Sequence, residues 1–201
     1  MTVLVARLAP DFTVPAVLAS GEIIDKFNLH STLKGKYGLI FFYPLDFTFV
    51  CPSELIALDH RIQEFKDRHV EVIAVSIDSQ FTHNAYRNMP VKQGGIGPVK
   101  FTLAADVTHS ICQSYGVEHP AAGVALRGAF IIDKNAIVRS QIVNDLPIGR
   151  DVDELLRTID AIQFFDENGE VCPAGWHKGQ AGMKASPKGV ADYLATHSEE
   201  L

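Results

Sequence analysis

The strongest constraint on the fold is Leu39-Ile-Phe-Phe-Tyr43, five apolar residues in an unbroken run. The run has the length of a strand and no polar residue at alternate places, so it reads as a central strand buried on both faces. Pro44 ends it. Val70-Glu-Val-Ile-Ala-Val-Ser76 is a second buried strand. Between the two, Pro52 stands at a helix start with Glu54 in the first turn. Leu55, Leu58, Ile62 and Phe65 then recur at helical spacing, which predicts a helix to about Arg68. Asp78-Ser79 caps another helix reaching about Asn88; Phe101 to Ala104 makes a third strand, and Thr108 to Tyr115 a short helix stopped by Gly116.

Two hairpins flank this alternation. Phe12 to Leu18 and Glu22 to Lys26 turn around Ser20-Gly21, followed by a helical turn over Asn28 to Gly35. Ala129 to Ile132 and Ala136 to Ile142 flank Asp133-Lys-Asn135, so those strands must be antiparallel. With a last helix from about Val152 to Phe165, the class is α/β, a mixed sheet with helices on both faces. Beyond Asp166, turn residues recur at Asn168-Gly169, Pro173, Gly175, Gly179, Gly182 and Pro187-Lys-Gly189, too densely for a packed element. The expectation is a domain over 1–165 and a flexible C-terminal arm over 166–201.

Cys51 falls where the loop after the central strand enters its helix. Unpaired N–H groups and the positive end of the helix dipole favour an anion there, which makes Cys51 the first candidate for a nucleophile. The competing reading is a small buried hydrophobe, which most free cysteines are. Thr48, three residues earlier, either brings its hydroxyl to the same place or caps a helix.

Pro44-Leu-Asp-Phe-Thr48-Phe-Val-Cys51, together with Glu170-Val-Cys172-Pro-Ala-Gly-Trp176, resembles the typical two-cysteine peroxiredoxins, a family of thiol peroxidases. The likeness runs from about residue 5 to 176 and takes in Leu126-Arg127-Gly-Ala-Phe-Ile-Ile-Asp133 and Val143-Asn-Asp-Leu-Pro-Ile-Gly-Arg150. It implies a thioredoxin-like fold and the reduction of hydrogen peroxide and alkyl hydroperoxides. Cys51 would be the peroxidatic thiol, oxidised to a sulfenic acid, and Cys172 the resolving thiol, joined to Cys51 of a second subunit. Arg127 would be the cation over the thiolate and Pro44 its shield, with Glu54 orienting Arg127 and a second arginine, Arg150. The resemblance also implies homodimers assembling into a ring, a decamer, and no cofactor. The reductant would be thioredoxin or a flavoprotein disulfide reductase. Gly94-Gly-Ile-Gly97 and Tyr193-Leu194 match only partly the Gly-Gly-Leu-Gly and Tyr-Phe of members that overoxidise easily.

A charged sulfur alone does not reach the roughly 8 kcal/mol or more that enzymes take off a barrier. The remainder must come from donors aimed at the peroxide oxygens as the O–O bond lengthens, for which Arg127, Thr48 and the Cys51 backbone N–H are available. A general thiol–disulfide oxidoreductase would carry a Cys-x-x-Cys at the helix start, and none is present. A redox-regulated holdase is the rival reading of a different class.

Lys and Arg number 18 against 24 Asp and Glu, a net charge of −6 without basic clusters, so neither nucleic acid nor an anionic membrane is an expected partner. No apolar run has the roughly 18 residues of a membrane span, and the first residues lack the pattern of a signal peptide, so the cytoplasm is the expected location. The histidines and cysteines show no zinc spacing, no metal is expected, and Cys112 reads as packing.

Overall fold

The computed structural model describes residues 3–200. In chain order its strands are β1 (Thr13–Val17), β2 (Ile23–Asn28), β3 (Tyr37–Phe42), β4 (Val70–Ser76), β5 (Thr102–Ala105), β6 (Arg127–Ile132) and β7 (Val138–Asn144). Its α-helices are α1 (Leu29–Thr32), α2 (Cys51–His60), α3 (Ile62–Asp67), α4 (Gln80–Asn88), α5 (Ser110–Ser114), α6 (Val152–Asn168) and α7 (Pro187–His197). The chain divides into two units, 1–152 and 153–201.

In the first unit the strands form one mixed sheet in the order β2-β1-β5-β4-β3-β6-β7. The apolar runs take the middle. β3 pairs parallel with β4 and antiparallel with β6, and β4 pairs parallel with β5. Every residue of β3 and of β6 is buried, as unalternating hydrophobic strands require. Behind β3 the rings of Phe42, Tyr115 and Phe130 meet with centroids 5.0–5.7 Å apart, two of the pairs edge to face. Gly128 admits this packing, because a Cβ there would sit 3.0 Å from both Phe130 and Val117. Both hairpins are antiparallel as expected, and the sheet is the thioredoxin-like mixed sheet that the sequence implies.

The helix expected over 52–68 is two helices. At Arg61 the backbone leaves helical geometry, φ −100° and ψ 2°, and its N–H is shared between the Ala57 and Leu58 carbonyls. This three-centre bond tightens the turn, and α3 then runs as a separate short segment.

The second unit begins with α6. The sequence reading places the boundary after this helix, at 165/166, whereas the contacts group the helix with the segment that follows. The reason is local. Trp176 is buried against Phe164, ring centroids 4.7 Å apart, and its carbonyl accepts from Arg157 Nη1 at 2.8 Å. Val171 and Met183 form an antiparallel bridge. The reading of 166–201 as lacking any packed element is corrected by α7, a helix of 11 residues. Ser186 caps it, accepting from the Gly189 N–H, and Pro187 occupies its first turn. The same Pro187-Lys-Gly189 that reads as a breaker is therefore a helix start. Among the described residues no helix is long and apolar enough to cross a membrane.

Candidate active site

β3 ends at Phe42, and residues 43–50 lead from it into α2. This loop is tied from within. The Asp46 carboxylate accepts from the Tyr43 hydroxyl at 2.7 Å and faces His83 Nδ1 at 2.8 Å, while its backbone N–H donates to Asp78 Oδ2 at 2.8 Å. His83 is fully buried in α4, and its other ring nitrogen faces the Ala104 carbonyl at 3.3 Å. Burial, then the neighbouring Asp46 carboxylate, hold the Tyr43 phenol well above its usual pKa, so it remains a donor. No sequence signal singles out Asp46, Tyr43 and His83, because the last lies 37 residues from Asp46.

The fixed loop delivers Cys51 as the first residue of α2, fully buried. Thr48 Oγ1 lies 2.9 Å from Cys51 Sγ and 2.9 Å from the Leu45 carbonyl oxygen. Its single proton serves one acceptor at a time. Arg127, at the start of β6, donates from Nη1 to Cys51 Sγ at 3.5 Å and to Glu54 Oε2 at 2.7 Å, while its Nε is held by the Leu146 carbonyl at 2.6 Å. Glu54 lies one turn along α2 and also grips Arg150, accepting from its Nε at 2.9 Å, its Nη2 at 3.1 Å and its backbone N–H at 2.8 Å. The Arg150 guanidinium is stacked on the Phe41 ring at 3.3 Å and donates to the Gly128 carbonyl at 2.6 Å. Burial lowers the Arg150 pKa to about 10 against the opposing pull of Glu54, which leaves it cationic at pH 7.

Glu54, Arg127 and Arg150 are all buried. Two cations face one carboxylate, so the triad holds one positive charge in excess beside the sulfur. Pro44, Thr48 and Arg127 also line a cavity of about 630 Å³, together with Leu45, Phe49, Val50, Ala122, Val124, Leu146 and Pro147. Apart from Arg127 and Thr48 its walls are apolar, and Phe49 is 96% exposed at its edge.

Six of the seven site residues expected from the sequence, Pro44, Thr48, Cys51, Glu54, Arg127 and Arg150, thus meet in the first unit. Cys172 belongs to the second. There its thiol donates to the Ala161 carbonyl at 3.4 Å, and burial raises its pKa while Arg157 pulls the other way. Arg157, bidentate on Glu154 at 2.6 and 2.8 Å, is a neighbour that sequence reading does not single out. All three cysteines are free thiols. Burial, then Asp106, push the Cys112 thiol up to about 12, so it stays protonated near pH 7 and is a poor nucleophile.

The profile of the AhpC/TSA family matches residues 5–141, and that of the C-terminal domain of 1-Cys peroxiredoxin matches residues 161–196. Alkyl hydroperoxide reductase C of Helicobacter pylori is 52% identical over 198 residues, covering 98% of this chain and 100% of that protein. Peroxiredoxin-2 of Cricetulus griseus is 48% identical over 194 residues, 96% of either chain. Among solved structures, the reduced 2-Cys peroxiredoxin of Plasmodium vivax superposes with a TM-score of 0.93 at 48% identity, covering 97% of this chain and 100% of that one. The chain therefore belongs to the AhpC/TSA family and is a peroxiredoxin, a thiol-dependent peroxidase.

Proposed function

We propose that the chain reduces hydrogen peroxide and alkyl hydroperoxides through Cys51, with Cys172 of a second subunit as the resolving thiol. The observation that carries this reading is the Cys51 sulfur held 2.9 Å from Thr48 Oγ1 and 3.5 Å from Arg127 Nη1, beside a buried triad with one excess positive charge. In the first step the Cys51 thiolate attacks one peroxide oxygen, the O–O bond breaks, and Cys51–S⁻ plus ROOH gives Cys51–SO⁻ plus ROH. Arg127 and Thr48 donate to the oxygens as charge develops on them. In the second step the Cys172 sulfur attacks the protonated Cys51 sulfenic acid, water leaves, and a disulfide joins two chains. A dithiol reductant, thioredoxin or a flavoprotein disulfide reductase, then takes the disulfide back to two thiols. Because this disulfide must be reduced at every turn, the protein belongs in a reducing compartment, the cytoplasm. Phe49, Phe81 and Ile148, exposed at 96, 67 and 57%, supply apolar surface for homodimers and a ring of them.

The test is peroxide consumption with a thioredoxin reducing system, comparing wild type, Cys51→Ser and Cys172→Ser, with non-reducing gels alongside. Cys51→Ser should be dead. Cys172→Ser should react once and stop, without the band at twice 22.0 kDa that the oxidised wild type shows. Continued turnover by Cys172→Ser removes Cys172 from the cycle; a wild type oxidised once but not recycled removes thioredoxin alone.

A further inference from the structure

Cys112 takes no part in the site described above. It is fully buried in α5, its thiol 3.3 Å from the His109 carbonyl oxygen. His109, the residue before α5, holds a left-handed backbone with φ 62° and ψ 7°, uncommon for any residue with a side chain. After the turn at Gly116, the bridge between Glu118 and Ala125 sets Glu118 beside the His109 ring, Oε1 2.8 Å from Nδ1. A ring nitrogen, a thiol sulfur and a carboxylate oxygen therefore lie within 4.8 Å of one another. Tetrahedral zinc, with bonds of about 2.0–2.3 Å, needs such atoms about 3.3–3.8 Å apart, so small side-chain rotations that open the His109–Glu118 pair and bring the sulfur in complete the set. The His109 and Glu118 side chains remain 28 and 30% exposed. One side of the cluster is thus open to water, and the buried sulfur closes the other.

We propose that His109, Cys112 and Glu118 form a three-ligand site for a borderline-soft divalent cation, zinc above all, with water as fourth ligand. The donor set selects the class. Sulfur and imidazole nitrogen suit zinc, whereas magnesium and calcium take shells of oxygen. The charges also match, since one thiolate and one carboxylate neutralise a dication. Asp106 supports the site from outside: its carboxylate oxygens accept from the Ile111 and Cys112 N–H groups at 3.0 and 2.8 Å and fix the turn that carries the sulfur. Binding transfers no electrons. The cation takes the Cys112 sulfur in exchange for its proton, which passes to solvent, and replaces the His109–Glu118 hydrogen bond. Spacing in the sequence gives no hint of the set, because its third ligand arrives only when the chain folds back.

The test is titration of the metal-stripped, full-length chain with Co²⁺ as the probe, in a Cys51→Ser/Cys172→Ser background that leaves one thiol. One equivalent should bind, with sulfur-to-cobalt charge-transfer absorption in the near ultraviolet and the visible bands of tetrahedral cobalt, and Zn²⁺ should displace it. Adding Cys112→Ser should abolish the ultraviolet band. His109→Asn, chosen because asparagine tolerates the left-handed backbone, and Glu118→Gln should each weaken Co²⁺ binding about tenfold or more. A parent without the charge-transfer band, or His109→Asn and Glu118→Gln variants that bind as the parent does, overturns the site. Circular dichroism establishes that each variant is folded; should Cys112→Ser fail to fold, the other two variants decide the question.

Discussion

At the scale of single residues, Arg127 and Glu54 do separable things. Arg127 Nη1 reaches both the sulfur and Glu54, so in the proposed reaction it is a donor aimed at the reacting atoms as well as a member of the triad. Loss of one such donor costs about 10²–10³ in rate. Arg127→Gln is expected to slow the reaction of Cys51 with hydrogen peroxide by that factor in stopped-flow measurements, and a rate within a fewfold of wild type would remove Arg127 from the reacting centre. Glu54 does not contact the sulfur, but it accepts hydrogen bonds from both arginines in a buried setting. Glu54→Gln leaves two buried cations without their anion, a loss of about 3–5 kcal/mol. At about 2–4 °C per kcal/mol for a chain of this size, the midpoint of thermal unfolding should fall by roughly 6–20 °C. An unchanged midpoint would show that water or another anion takes over the role. Arg127, Glu54 and Arg150 are legible in the sequence through the family likeness alone, since an arginine beside a strand is otherwise a surface charge. The triad closes over 73 and 96 residues of separation, which no local pattern records.

At the scale of elements, the first turn of α2 carries both the proposed chemistry and its weakness. Val50, its N-cap, offers no side-chain acceptor, and Pro52 contributes no N–H. The Ser53 and Glu54 amides tie the turn to Val50 at 3.1 and 3.3 Å, and the Ser53 hydroxyl donates to the same carbonyl at 2.6 Å. A disulfide needs Cα atoms within about 4.4–6.8 Å of each other, which a fully buried Cys51 meets only by leaving its turn. The Ser53 and Glu54 amides should therefore exchange hydrogen faster in the oxidised, disulfide-linked protein than in the reduced one, while those of Leu58 and its neighbours change less. Equal exchange in the two forms would mean that disulfide formation needs no unwinding. β4 is legible to the residue because its apolar run, broken only by the half-buried Glu71, has one physical solution, burial on both faces. Helix ends are harder. The break at Arg61 has no glycine or proline to announce it, and α7 begins at a serine and proline whose following glycine argues the other way.

At the scale of the whole molecule, the proposed cycle joins a cysteine of one unit to a cysteine of the other. Burial raises the Cys172 pKa despite the pull of Arg157, so below that value the attacking thiolate is scarce and grows about tenfold per pH unit. Disulfide formation after a single dose of peroxide should accelerate with pH from 6 to 8, followed by the fluorescence of Trp176, the one tryptophan and four residues from Cys172. A rate independent of pH across that range would place the attacking sulfur elsewhere. The division into units is only half legible: the density of Gly and Pro marks where the arm begins, but the docking of Trp176 on Phe164, which draws α6 to the arm, is a contact between residues without a shared pattern. The molecule is, finally, an anion of net charge −6 whose buried triad holds two cations against one carboxylate. Regarded as a receptor, the triad suits an anion, and position 51 lies at its mouth, the sulfur 3.5 Å from Arg127 Nη1. Serine at position 51 presents that mouth with a neutral hydroxyl, whereas aspartate would present it with a carboxylate, so the two substitutions are different controls.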